Sequence, residues 1–247
     1  MDAAEYQLMY DAEETHWWYV GMSAITRAVL DTYCTNEEGL RVLDAGCGTG
    51  GALSWLSEYG KTAGFDISPY AVDLCRKRGH HRTCIGSVME IPFPDQSFDL
   101  VVSLDVLYFT NVRDGAALQE FCRVLVSGGR AVLRVPAYDW LRGEHDRKLS
   151  TGHRYTLPEM RRKMEKSGLR PEFLTYVNTF LFPIAMLKRL CERWLPRQPV
   201  SDTGLEMRSL SGLMKSLLIH ESRIIRRHAL PFGLSIMAVG RKEFESR

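Results

Sequence analysis

Val42–Gly51 reads VLDAGCGTGG, and the fold class is decided by how this stretch is read. Leu40 to Ala45 is a short apolar run of strand type, and Gly46, Gly48 and Gly50 follow it at once. Ala52, Leu53, Leu56 and Tyr59 then recur at helical spacing. A strand therefore delivers the chain to a glycine turn and a helix carries it away. Glycine is needed where a side chain would hold a ligand off the backbone, or where φ is positive. The helix start adds free N–H groups and the positive end of the helix dipole. The next apolar run, Thr62 to Phe65, ends at Asp66. A carboxylate at that place can accept hydrogen bonds from both ribose hydroxyls of an adenosine ligand.

The glycine spacing separates ligand classes. A dinucleotide fingerprint is GxGxxG, whereas this loop is GxGxGG with Asp44 two places before its first glycine. No GK[ST] follows, which excludes a phosphate-binding P-loop.

Outward from the loop, strand and helix signals alternate. Ser68 is an N-cap with Pro69 at the first helical position of a helix to about Arg78. Thr83 to Ile85 and Phe98 to Ser103 are the third and fourth strands, the latter a continuous apolar run of the kind buried in parallel sheets. Leu118, Phe121, Cys122 and Leu125 form a helical face that Gly128 and Gly129 should stop, and Ala131 to Val135 is the fifth strand. Thr156 and Glu159 have capping-box spacing ahead of a helix closed by Gly168. Glu172 to Val177 and Leu234 to Gly240 complete seven strands, and the alternation argues for a mostly parallel sheet.

Bulk properties restrict the partners. With 247 residues, 45% hydrophobic and 25% charged, the chain has ordinary globular composition for one α/β domain. A net charge of +2 lacks the basic excess of a nucleic-acid binder. The basic groups at 161–163 and at Arg223, Arg226 and Arg227 fall in helical patterns and read as solvated faces. The six cysteines form no CxxC pair and read as small core residues, consistent with a reducing cytoplasm. The start MDAAEYQLMYDAEETHWW has no apolar h-region. The longest apolar stretch, Phe180 to Leu187, contains Pro183 and is far short of the ~20 residues a spanning helix needs.

VLDAGCGTGG, GFDIS, MEIPFPDQSFDLVVSLDVLYF and LxxGGRAVLRVPA together resemble the class I S-adenosylmethionine-dependent methyltransferases, in particular the small-molecule subfamily of ubiquinone/menaquinone type. The resemblance spans about residues 14 to 177, with an echo in PFGLSIMAVGRK. It implies a doubly wound sheet of order 3-2-1-4-5-7-6 with strand 7 antiparallel, and S-adenosylmethionine as cofactor. By motif, Asp44, Gly46, Cys47, Gly48 and Gly50 correspond to the loop that cradles the methionine part. Asp66 corresponds to the ribose ligand and Ile67 to an apolar adenine contact. Where the family often has an acidic residue for the adenine amino group, this chain has Gly86-Ser87 followed by Val88. Ser103 and Leu104 correspond to residues flanking the sulfonium and methionine carboxylate. Glu14-Thr15-His16-Trp17-Trp18-Tyr19 resembles a stretch that folds over the cofactor as a lid, with Trp18 facing it. The other reading of Trp17 and Trp18 is a helix packed on the domain.

The division expected is a single domain. Residues 1–35 form the lid, 36–178 the cofactor core, 179–228 a helical insertion, and 229–247 the last strand and tail. Acceptor residues should follow strands four and five: Asp105 and Tyr108, then the dense stretch YDWLRGEHDRKLSTGHRY. There His145 or His153 is the candidate general base, with Tyr155 or Tyr138 orienting the acceptor. The alternative is that these groups only tie the loop in place. His145, Asp146 and His153 match no strong metal template, so no metal is assigned. The expected activity is N- or O-methylation of a small organic acceptor. Three alternatives stay open: a peptide or carrier-bound acceptor, a cofactor-binding protein without transfer, and use of the sulfonium for electrostatics alone. The insertion is the candidate surface for a homodimer or carrier protein; its helix FLFPIAMLKRLCERWL could also touch a membrane surface without spanning it.

Overall fold

The computed structural model describes residues 2–34, 39–143, 151–187 and 207–244. Apolar runs too continuous for a half-exposed sheet close into seven strands: β1 (Leu40–Ala45), β2 (Gly60–Asp66), β3 (Thr83–Ile85), β4 (Phe98–Leu104), β5 (Leu125–Pro136), β6 (Leu169–Val177) and β7 (Ser235–Lys242). Their order is β3-β2-β1-β4-β5-β7-β6. The first five run parallel, and β7 is antiparallel to both β5 and β6. This is the doubly wound arrangement expected, with the strand order reversing between β1 and β4.

Residue alternation along the strands sends side chains to two cores. On one face Leu43, Val101, Leu133 and Val135 pack with Leu118 and Phe121 of α5 (Asp114–Val124) and with Met160 and Met164 of α6 (Leu157–Lys166). On the other, Val42, Val102 and Val132 pack with Met22, Ile25 and Val29 of α2 (Trp17–Tyr33) and with Leu218 and Ile225 of α7 (Met207–Ile225). Gly21 permits that second layer, since a Cβ there would lie 2.4 Å from Leu218 Cδ1. Burying Leu218 completely stabilises the layer by about 1.5–3 kcal/mol. Two helices, α3 (Gly51–Leu56) and α4 (Pro69–Lys77), follow β1 and β2.

Before β1, α1 (Ala3–Ala12) opens with a complete capping box between Asp2 and Glu5. It rests on α4, where Tyr6 is buried with Ala71 and Leu74. Its far end is held by Arg78, whose guanidinium lies over the Tyr10 ring at 4.2 Å and pairs with Glu13 at 3.1 Å.

Several boundaries differ from the sequence reading. Leu125 is the first residue of β5 rather than the last of a helical face, and Gly128 and Gly129 lie inside that strand, where the β4–β5 register shifts. Thr156 caps α6 without a side-chain hydrogen bond, and Glu159 is engaged by His153, so no capping box forms. β6 begins at Leu169, three residues before the expected start. Of the helix expected over 180–195, residues 182–187 are helical and those from 188 lie outside the described residues. Among the described residues no helix is long and apolar enough to cross a membrane.

Candidate active site

A cavity of about 840 Å³ opens at the carboxyl edge of β1, β2, β4 and β5, where the strand order reverses and ligands bind in open α/β sheets. Its size lies within the roughly 300–1,000 Å³ of small-ligand sites.

The glycine turn forms one wall. Gly46, Gly48 and Gly50 have φ of +84°, +53° and +88°. Gly46 is doubly constrained, since a Cβ there would also lie 2.5 Å from Val106 Cγ2. The N–H groups of Gly46 and Cys47 donate to Phe65 O at 3.0 and 2.9 Å, which pins the turn to β2. Gly50 caps α3 and stands behind Gly48 and Gly51, which line the cavity.

Asp66, at the end of β2, is buried and fixed. Its Oδ2 accepts from Gly48 N at 3.0 Å, and its Oδ1 accepts from Ser68 N at 2.9 Å and from the Tyr6 hydroxyl at 3.1 Å. The cluster holds the carboxylate at the cavity wall, and the lone pairs left over face ligand donors. Beyond it, Ile67 is 60% exposed on the wall, an apolar ledge beside Ser87 and Val88. Ser87 Oγ accepts from Met89 N at 3.2 Å, so its own proton stays available to donate.

Asp44 is the most unusual wall residue. It is 2% exposed, and its Oδ2 has no hydrogen-bond partner among the described residues. Complete burial pushes its carboxyl up to about 8; Glu13 and Asp66 push the same way and Arg134 opposes them. A buried oxygen without a partner is unfavourable by about 1–3 kcal/mol, and a ligand ammonium would remove that penalty. The residues present thus fit the amino-acid tail of S-adenosylmethionine at Asp44 and its ribose at Asp66.

The N-terminal helices close the top. Glu13 accepts from the Thr49 hydroxyl and, at 3.1 Å, from Gly51 N at the start of α3, and burial raises its carboxyl above the usual range. Met9 Cε lies 2.5 Å from where a Gly48 Cβ would stand. Trp17 and Trp18 both pack on the α2 core, and Trp18 also lines the cavity. The stretch thus packs on the domain, and Trp18 also borders the cavity. Tyr6 and Glu13 were missed by sequence reasoning, because their partners lie about 60 and 36 residues away in the chain.

Toward β4 and β5 the wall changes character. Ser103 is behind it, donating to Ala45 O at 2.9 Å and tying β4 to β1, while Leu104 lines it. Asp105 has φ +58° and pairs with Arg134 at 2.7 Å. Tyr19, whose hydroxyl is pushed to about 12 by burial and by the carboxylates of Glu13 and Asp105, faces the same region. Tyr108, Phe109 and Leu141 supply an apolar section.

The acid–base candidates are not brought to this wall. Tyr155 is 1% exposed and its hydroxyl donates within the fold, to Leu107 O at 3.0 Å and Asp114 Oδ2 at 2.9 Å. Burial and those neighbours raise it far above an ordinary phenol. His153 sits between Asp139 (3.1 Å) and Glu159 (2.8 Å). These contacts fasten the loop after β5 onto α5 and α6. His145 lies outside the described residues. Tyr138 stacks on Tyr176 at 5.0 Å and does not line the cavity. Among the described residues no three His, Cys, Asp or Glu side chains converge as metal ligands.

Residues 43–133 match the family model described as a methyltransferase domain. A methyltransferase of Encephalitozoon cuniculi (strain GB-M1) is 38% identical over 122 residues, 49% of this chain and 52% of that one. A fatty-acid O-methyltransferase of Mycolicibacterium smegmatis is 35% identical over 99 residues, 37% of this chain and 35% of that one. The chain thus spans about half, or less, of the length of the curated relatives it matches. Among solved structures, a chain from the complex between the Haloferax volcanii Trm112 methyltransferase activator and a methyltransferase superposes with a TM-score of 0.64 at 21% identity, covering 99% of this chain and 96% of that one. Geranyl diphosphate C-methyltransferase from Streptomyces coelicolor, bound to S-adenosyl-L-homocysteine, gives 0.60 at 16% identity, covering 90% and 80%. Strand order, glycine turn, Asp66 and family match agree: residues 43–133 match a methyltransferase domain, within the sheet order of that fold and with a site that fits S-adenosylmethionine as cofactor.

Proposed function

We propose that the chain transfers the methyl group of S-adenosylmethionine to a nitrogen or oxygen of a small organic acceptor. The observation that carries this reading is the continuity of one cavity from the Asp44–Asp66 wall to the apolar section of Tyr108, Phe109 and Leu141. When bound, the cofactor would supply an activated methyl for in-line transfer to the acceptor, with S-adenosylhomocysteine as the leaving thioether. The protein's part is to align the two and exclude water. Asp66 orients the ribose, Asp44 the ammonium, Ile67 and Val88 the adenine, and Trp18 with α1 covers the tail. Since Tyr155 and His153 are committed within the fold, an acceptor that reacts as a neutral amine or a carboxylate, with no proton to lose in the transition state, suits this site best.

A second reading has its own support. Ile184, Leu187, Leu210 and Leu213 in the 179–228 insertion are exposed, and Ala185 of the same segment lines the cavity. Such a surface suits a carrier protein that presents the acceptor, or a second copy of the chain.

Transfer is tested by incubating the protein with methyl-labelled cofactor and separate pools of amines, carboxylic acids and phenols, then following S-adenosylhomocysteine. One pool should raise its formation above the acceptor-free rate. If every pool fails, acyl-carrier-bound acids included, while the cofactor binds, the transfer reading is wrong.

A further inference from the structure

Arg134 is a charged residue in the middle of the sheet. It is 8% exposed, on a strand paired with β4 on one side and β7 on the other. It shares a face with Val132, two residues earlier, which packs against α2. Its guanidinium therefore rises under α2 at the carboxyl edge and lines the cavity. Nε and Nη2 reach a single oxygen, Asp105 Oδ2, at 2.8 and 2.7 Å, and Nη1 reaches Thr26 Oγ1 at 3.4 Å. Those contacts use three of the five N–H groups. One on each terminal nitrogen is left without a protein partner among the described residues. These two N–H groups remain for a ligand acceptor such as a carboxylate.

The charges of the wall point the same way. Among the described residues lining the cavity, five are acidic (Glu13, Glu14, Asp44, Asp66 and Asp105), and only Arg134 and Arg154 are cationic. Of those two, Arg134 is the buried one. Apart from the more exposed Arg154, the other charged groups of this wall repel a ligand carboxylate. Arg134 is also near enough to Asp44 to act on its ionisation. An orphan carboxylate oxygen and a guanidinium with spare N–H groups thus flank one region, a pairing that suits an amino-acid zwitterion.

We propose that Arg134 is the carboxylate-binding residue of the cavity. It takes the methionine carboxylate of the cofactor, whose ammonium goes to Asp44; the other source of the same chemistry is a carboxylate on the acceptor. The inference rests on the cofactor assignment above. Titration calorimetry on the full chain with S-adenosylmethionine and its decarboxylated analogue tests it, in the wild type, Arg134→Gln and Arg134→Lys. The wild type should prefer the carboxylated ligand by roughly 10- to 100-fold. In Arg134→Gln the preference should fall below about threefold, and Arg134→Lys should keep part of it, as a charge without the planar guanidinium. The preference is a ratio within one protein, so a smaller folded fraction cancels. If it is equal in wild type and Arg134→Gln, the second source is tested by titrating octanoate into the protein saturated with S-adenosylhomocysteine. Octanoate binding that is lost in Arg134→Gln assigns the residue to the acceptor. Equal octanoate binding in both proteins, or none to the wild type, overturns the proposal. Failure of S-adenosylmethionine to bind the wild type would instead overturn the cofactor assignment.

Discussion

Binding of S-adenosylmethionine at pH 7 should expel most of a proton, and the proton should come from Asp44. With its carboxyl at about 8 in the ligand-free fold, about nine in ten Asp44 side chains are protonated at pH 7. A ligand ammonium at the unpaired Oδ2 reverses the balance. A unit charge ~4 Å away at an effective dielectric near 20 is worth ~4 kcal/mol. That is roughly three pH units at 1.36 kcal/mol each, so the bound carboxyl falls to about 5. The ligand's α-amino group, near 7.7–8.0, takes up about 0.1–0.2 proton at pH 7. Net release is therefore about 0.7–0.8 proton per site. Affinity should rise with pH between about 5 and 8 and turn over as the ligand's own ammonium is lost. The sign for stability follows. The ligand-free fold holds a proton on Asp44 that the unfolded chain has released above about 4. Its stability therefore falls as pH rises from about 4 to about 8, and the cofactor stabilises more at pH 8 than at pH 6. Calorimetry at pH 7 in buffers of low and high ionisation enthalpy counts the protons, and Asp44→Asn should show only the ligand's uptake of about 0.1–0.2 proton. No buffer dependence in the wild type, or the same dependence in Asp44→Asn, would refute the reasoning.

Other substitutions separate cofactor binding from support. Asp66→Ala removes the acceptor of Gly48 N, Ser68 N and the ribose hydroxyls, and should weaken cofactor binding by roughly 30-fold or more by calorimetry; wild-type affinity would remove Asp66 from the ribose site. Tyr6→Phe removes the hydrogen bond from α1 to Asp66, so amide exchange over Ala3–Ala12 should quicken by about fivefold while β1 exchange is unchanged. Tyr155→Phe should lower stability in a urea melt by about 1–3 kcal/mol, since Leu107 O and Asp114 lose a buried donor. Its kcat, once an acceptor is known, should stay within a few-fold of wild type; a thousandfold loss would return Tyr155 to the chemistry.

The cofactor half was legible because it is local. A strand, three glycines, a helix and Asp66 lie within 27 residues of one another (40 to 66), and hydrophobic period and turn chemistry report on such segments directly. What was hidden depends on contacts made across the fold. Nothing in AAEYQLMYDA shows that Tyr6 will reach Asp66. The density of His153 and Tyr155 looked catalytic because ionisable side chains were read without their partners; Asp139 and Glu159 hold His153, and Asp114 holds Tyr155. Arg134 did carry a signal. AVLRV reads as the fifth strand of a mostly parallel sheet, and a charge within such a strand is rare unless paired or functional.

The antiparallel β7 carries a consequence for how this scaffold can be altered. Because β6 ends and β7 begins at the same rim, the connection between them leaves and re-enters the sheet beside the acceptor wall without crossing to the opposite edge. A parallel seventh strand would need a crossover of fixed hand and minimum length. Here the joint behaves like the open end of a hairpin, which accommodates inserts of very different size at slowly rising entropic cost. The strands that hold Asp44 and Asp66 lie at least two places away in the sheet. Exchange of this one connection is thus the point at which the proposed acceptor choice would be rewritten while the strands carrying Asp44 and Asp66 are left intact.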